Sequence, residues 1–117
     1  MNKKKTVVKF LLSTLLIVLV LTPIGYVQIN KIIYANRVTN YLLQEKQLSK
    51  EEIQSVKGVW GKKLPSFYSV VTFKDEPYVE YIYFAHREVM QFGYRLTEEG
   101  KQAGISESDL KHYEPFE

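Results

Sequence analysis

The chain has 117 residues, no cysteine, 16 Lys/Arg against 13 Asp/Glu, nine tyrosines and six phenylalanines. Without cysteine, disulfide stapling, thiol catalysis, a cysteine-based zinc site and acylation at a cysteine are all excluded. The formal charge of +3 does not point to nucleic acid. Lys3, Lys4, Lys5 and Lys9 cluster at the N-terminus with no acid among them, while residues 30–117 carry 12 Lys/Arg and 13 Asp/Glu. A nucleic-acid binder needs a basic stripe on its folded domain, and these charges are mixed.

Phe10 to Ile29 runs for twenty residues without a charge. At about 1.5 Å rise per residue this is a helix of roughly 30 Å, the thickness of a bilayer's hydrocarbon core. The chain therefore divides into a basic flank (1–9), a transmembrane anchor (10–29) and one small domain (30–117). A cleaved signal peptide is the competing interpretation and would release a secreted domain. The apolar run is longer than a signal needs, and no small-x-small site follows it. A cut after Ala35 places Ile33 three positions back, and one after Gly25 places Pro23 there. An uncleaved single-pass anchor in the cell membrane is expected. The lysine excess of the leading segment keeps the N-terminus cytoplasmic and the C-terminal domain outside. Pro23 and Gly25 are expected to kink or loosen the outer half of the span.

Past the anchor, apolar residues at largely helical spacing from Val27 to Leu48 predict a helix over 27–47, in line with the anchor, with its 34–42 stripe packed on the domain. Ser49-Lys-Glu-Glu52 has the form of a capping box. Ile53 to Trp60 predicts a first short strand. Phe67–Phe73 and Tyr78–Phe84 are richer β signals, separated by a turn at Lys74-Asp-Glu-Pro77, where Pro77 cannot donate to a ladder. A second hairpin turn is expected at Ala85-His-Arg-Glu88. The third run alternates cleanly, with Met90, Phe92, Tyr94 and Leu96 on one face and Val89, Gln91, Gly93 and Arg95 on the other. One face is expected to be buried and the other wet. Thr97-Glu-Glu and Ser106-Glu-Ser-Asp109 read as helix starts, with acids where the helix dipole favours them. The tail from Leu110 is expected to lie against the surface. The order predicts an α+β fold: a helix packed on an antiparallel three- or four-stranded sheet, with short C-terminal helices.

Residues that carry chemistry are few. His86 falls in a predicted turn. His112 has Glu107, Asp109 and Glu114 nearby, without the convergent spacing of a metal site. No nucleophile elbow and no phosphate-binding loop occur. No catalytic residue, cofactor or metal is therefore expected. The most distinctive segment is Gly58-Val-Trp-Gly-Lys-Lys-Leu-Pro65, which places the only tryptophan between two glycines and beside two lysines. An exposed tryptophan with cationic neighbours suits a partner-binding anchor or a residue resting on lipid headgroups. The candidate binding residues are Trp60, Lys62, Lys63 and Tyr68, extended into an aromatic patch by Tyr78, Tyr81 and Tyr83. The alternative is that Trp60 plugs a small core.

The lysine-led anchor, Asn36-Arg-Val-Thr-Asn-Tyr-Leu-Leu43, Gly58–Pro65, Asp75-Glu-Pro77, Val79-Glu-Tyr-Ile-Tyr83 and Glu114-Pro-Phe116 together resemble domain of unknown function 3139, small membrane-anchored proteins of Gram-positive bacteria. The resemblance implies no activity, cofactor or catalytic residue. At the level of fold alone, a helix followed by a β-meander outside a membrane is similar to the PepSY-type domains, thought to restrain peptidases. The function expected is a membrane-anchored extracytoplasmic binding or regulatory module, its partners the lipid bilayer and another envelope or membrane protein. The alternatives are an accessory or immunity-like subunit acting through its anchor, and a small metal-dependent envelope hydrolase.

Overall fold

The computed structural model describes residues 2–61 and 66–114. A single α-helix, α1, spans Lys3–Gln44 and carries the apolar run and the predicted second helix as one uninterrupted element through Pro23. Its apolar stretch is long enough to cross a membrane, and none of it is buried against the rest of the molecule. The last three turns behave differently. Val38 and Leu42, one turn apart, are fully buried, so the periodic stripe becomes a packing face only where the sheet lies beneath it.

A 3-10 turn at Lys50–Glu52 leads into the sheet, and Ser49 N–H donates to Glu52 Oε2 at 3.2 Å, as the capping-box motif predicts. Four strands follow in antiparallel meander order: β1 (Ile53–Trp60), β2 (Phe67–Phe73), β3 (Glu76–Phe84) and β4 (Met90–Leu96). A short helix α2 (Glu98–Gln102) and a 3-10 turn at Glu107–Asp109 complete the α+β fold. Thr97 caps α2 by accepting from Gly100 N–H at 3.2 Å.

α1 covers one face of the sheet, chiefly over β1 and β2. Its approach is set by two small residues that face each other across those strands, Gly58 and Ser69. A Cβ at Gly58 would collide with the Lys31 carbonyl of α1, so only glycine lets the helix backbone come so close. The core beneath α1 joins Val38 and Leu42 to Val71, Phe73, Val79 and Tyr81.

Two expectations are corrected by the sheet register. The β2–β3 connection is tighter than the Lys74–Pro77 turn, because Glu76 already pairs with Phe73 and begins β3. Pro77 is tolerated inside this strand because pairing with β4 starts only at Val79, so no ladder bond is lost on that side. The clean alternation of residues 90–96 is broken by a β-bulge. Tyr83 pairs with Gln91, but Ile82 pairs with Gly93, which leaves Phe92 as the extra residue. The phase flips there: Gln91 is buried, and Phe92 is turned outward at 54 % exposure. Beyond the bulge Tyr94 and Leu96 pack on the core as the alternation requires.

Candidate functional site

The sheet has two ends, and α1 gives them different characters. β1 and β3 finish, and β2 and β4 start, at the end beside the middle of α1, where the apolar run gives way to Lys31 and Arg37. Here lies a cleft of about 880 Å³. Tyr26 and Tyr34 of α1, the cross-strand pair Trp60 and Phe67, and the strand-end residues Phe84 and Met90 form its apolar lining. The turn residues His86, Arg87 and Glu88 form its polar side.

The aromatic lining is built from contacts that fix each ring. Phe67 meets Tyr26 edge-on at 6.2 Å between centroids and Tyr34 at 5.4 Å, both favoured geometries for ring quadrupoles. Tyr34 and His86 are hydrogen-bonded through the hydroxyl and Nδ1 at 3.2 Å. The Arg37 guanidinium donates to the Ala85 carbonyl at 2.8 Å and lies 5.4 Å from the Tyr34 ring centre. The β3–β4 turn is thereby tied to α1. Phe84 also packs on the outward Phe92 at 4.8 Å. Trp60 is 52 % exposed, so it is neither a core plug nor fully solvated.

The proposed aromatic patch is dispersed by strand alternation. Tyr68 pairs with Val59 and belongs to the sheet face opposite α1, away from the face of Trp60 and Phe67. Tyr81 and Tyr83 are core residues, fully buried, and Tyr78 is exposed near the far end of β3. Trp60 therefore gathers Tyr26, Tyr34, Phe67 and Phe84 instead. Lys62 and Lys63 lie outside the described residues. His86 sits in a turn, as its sequence position predicts, but its contact with Tyr34 spans 52 positions and has no local signature.

A second polar cluster runs from the far end, at Glu76, along β3 to Tyr83 and Gln91. Glu76, almost buried, accepts from the Tyr81 hydroxyl at 2.7 Å and from Lys111 N–H at 2.9 Å. Tyr81 in turn accepts from His112 N–H at 3.2 Å. Buried Gln91 donates to the Tyr83 hydroxyl at 3.0 Å and to the His112 carbonyl at 2.8 Å, and its own carbonyl accepts from Glu114 N–H. The His112 ring stacks on Phe73 at 3.8 Å and pairs with Asp75 at 2.9 Å. Burial and the Glu76 hydrogen bond push the Tyr81 phenol well above its ordinary value, and burial does the same to Tyr83. These groups fasten the C-terminal segment into the fold, and His112 also borders two smaller clefts of about 280 and 320 Å³. Among the described residues no three His, Asp or Glu side chains converge as metal ligands would.

A family model described as "Protein of unknown function (DUF3139)" matches residues 3–83. The chain belongs to that family. No curated protein and no solved structure matches it. The DUF3139 match takes in α1 and the strands that contribute Tyr26, Tyr34, Trp60 and Phe67. Phe84, the 86–88 turn, β4 and the tail lie beyond it, so one half of the cleft belongs to the matched region and the other half completes it.

Proposed function

We propose that this protein is a membrane-anchored extracytoplasmic binding module whose recognition site is the cleft around Trp60. The observation that carries the proposal is a coincidence of place. A large aromatic-lined opening lies where α1 leaves its apolar run, beside the half-exposed sole tryptophan. An apolar cleft with a few polar groups at one side is the usual form of a ligand site, and a tryptophan at its opening is the usual form of a binding anchor. The N-terminal lysine cluster supports a cytoplasmic N-terminus with the domain outside. No catalytic step is assigned, since His86 and His112 stand at opposite ends of the sheet and each meets its own local partners.

Action through the anchor alone is the competing reading, favoured by an eighteen-residue apolar window of α1 with none of its residues buried. A photo-crosslinking residue in place of Ser66, which lines the cleft, separates the two. Specific capture in cells from position 66, absent from position 101 on α2 and lost on Trp60→Ala, is the expected result. Equal capture from both positions, or capture unchanged by Trp60→Ala but abolished by replacing residues 10–29 with an unrelated span, assigns function to the anchor.

A further inference from the structure

The level of the cleft along α1 narrows what it binds. Tyr26 lies three residues inside the end of the uncharged run and Tyr34 five residues beyond it, about 4.5 Å below and 7.5 Å above that boundary on the helix axis. Phe67 touches both rings. With the run in a bilayer, the cleft straddles the border between acyl chains and headgroups, the depth at which tryptophan and tyrosine are enriched. A soluble ligand would have to reach this opening against the membrane surface, whereas a lipid is already there.

Charge follows the same axis. Around the cleft, α1 and the β3–β4 turn supply Lys31, Arg37 and Arg87 against one acid, Glu88. At the far end, segments 50–52, 74–76, 98–102 and 107–111 carry eight Asp/Glu against four lysines. An anionic surface would attract the cleft end and repel the other, so electrostatics and the helix hold the domain in one orientation.

We propose that the cleft binds an anionic phospholipid of the adjoining leaflet, its upper acyl chain against Phe67, Phe84 and Met90 and its phosphate at Arg87 and His86. The volume of about 880 Å³ lies within the ~300–1,000 Å³ of ordinary ligand sites. Exposed Arg87 is free to turn its guanidinium toward the headgroups while its stem stays on the apolar lining. The inference rests on the cleft being a binding site and names its ligand.

Because Trp60 is the only tryptophan, its fluorescence reports on the cleft of the full-length protein. The protein is reconstituted into phosphatidylcholine vesicles containing increasing phosphatidylglycerol, with bromine on the upper acyl carbons of either lipid. Brominated phosphatidylglycerol should cause roughly a two-fold loss of emission, and brominated phosphatidylcholine at the same mole fraction clearly less. Arg87→Gln should raise the half-quenching fraction of phosphatidylglycerol roughly five-fold, and Lys101→Gln, an equal loss of charge at the far end, should leave it unchanged. Absence of quenching in protein that co-floats with vesicles overturns the lipid assignment and leaves the binding module standing. Equal quenching by both lipids, or equal effects of the two substitutions, also overturns it, because Trp60 is then merely near the bilayer. Failure to co-float overturns the anchored module itself.

Discussion

Individual side chains hold this fold through polar contacts that are unusually long in sequence range. The buried Tyr81 hydroxyl joins a near partner, Glu76, to a distant one, the His112 N–H. Tyr81→Phe leaves the His112 N–H and one oxygen of Glu76 unmatched, and the loss should be about 1–3 kcal/mol in urea denaturation of the detergent-solubilised chain. Ser69 is the opposite case. Its hydroxyl is buried beneath α1 with no partner among the described residues. Ser69→Ala removes a desolvated group without disturbing shape, so stability should stay level or rise by about 1 kcal/mol in the same assay. Trp60 is half exposed at the cleft. Trp60→Ala should shift stability by no more than about 1 kcal/mol, which makes it a clean probe of binding.

Two elements meet the sheet by close approach at a glycine. α1 sits on β1 and β2 because Gly58 admits its backbone, and α2 closes on β3 because Gly100 lies against the Tyr78 carbonyl, where an added Cβ would stand 2.6 Å from the oxygen. Both positions are helix–sheet seams with no room to spare. Gly58→Ala must push α1 off the sheet or bend β1, and a cost of about 1–3 kcal/mol is expected, read as a lower denaturation midpoint with an unchanged slope. The bulge in β4 works at the same scale. One extra residue turns Phe92 out toward Phe84 and Gln91 in toward Tyr83, supplying both a wall near the cleft and the clasp that holds the tail.

For the whole molecule, the buried tyrosines make stability sensitive to alkali. Burial favours the neutral phenol, so Tyr81 and Tyr83 hold their protons more tightly folded than unfolded, where the value is 10.0. Their contribution is complete below pH 10 and is lost as pH rises toward their folded values. The Lys46 ammonium, raised chiefly by its hydrogen bond to Glu114, has the same sign and loosens the tail over the same range. Absorbance titration of the nine tyrosines should therefore show at least two that ionise only as the domain unfolds, together with a midpoint of unfolding that falls above pH 10. Two phenols that titrate freely in the folded protein would contradict the burial of Tyr81 and Tyr83.

Much of the architecture was legible in the sequence because it depends on local rules. The uncharged run, the helical stripe ending in Val38 and Leu42, the β-rich runs of β2 and β3, and the capping residues Ser49 and Thr97 each act within a few neighbours. Tryptophan 60 also stood out locally, from its flanking glycines. Its neighbours did not. Strand phase sends Tyr68, Tyr81 and Tyr83 elsewhere, the two tyrosines of the cleft come from α1, and a single bulged residue in β4 exchanges Gln91 for Phe92 in the core without any mark in the alternating pattern. The cleft joins Tyr26 and Tyr34 to Phe67, Phe84 and His86, residues brought together by the packing of α1 on the sheet. Sequence by itself determined the elements and their order, since periodicity and capping are short-range. Tertiary structure decided the core tyrosines, the clasped tail and the cleft, since those depend on register and close approach between segments tens of residues apart.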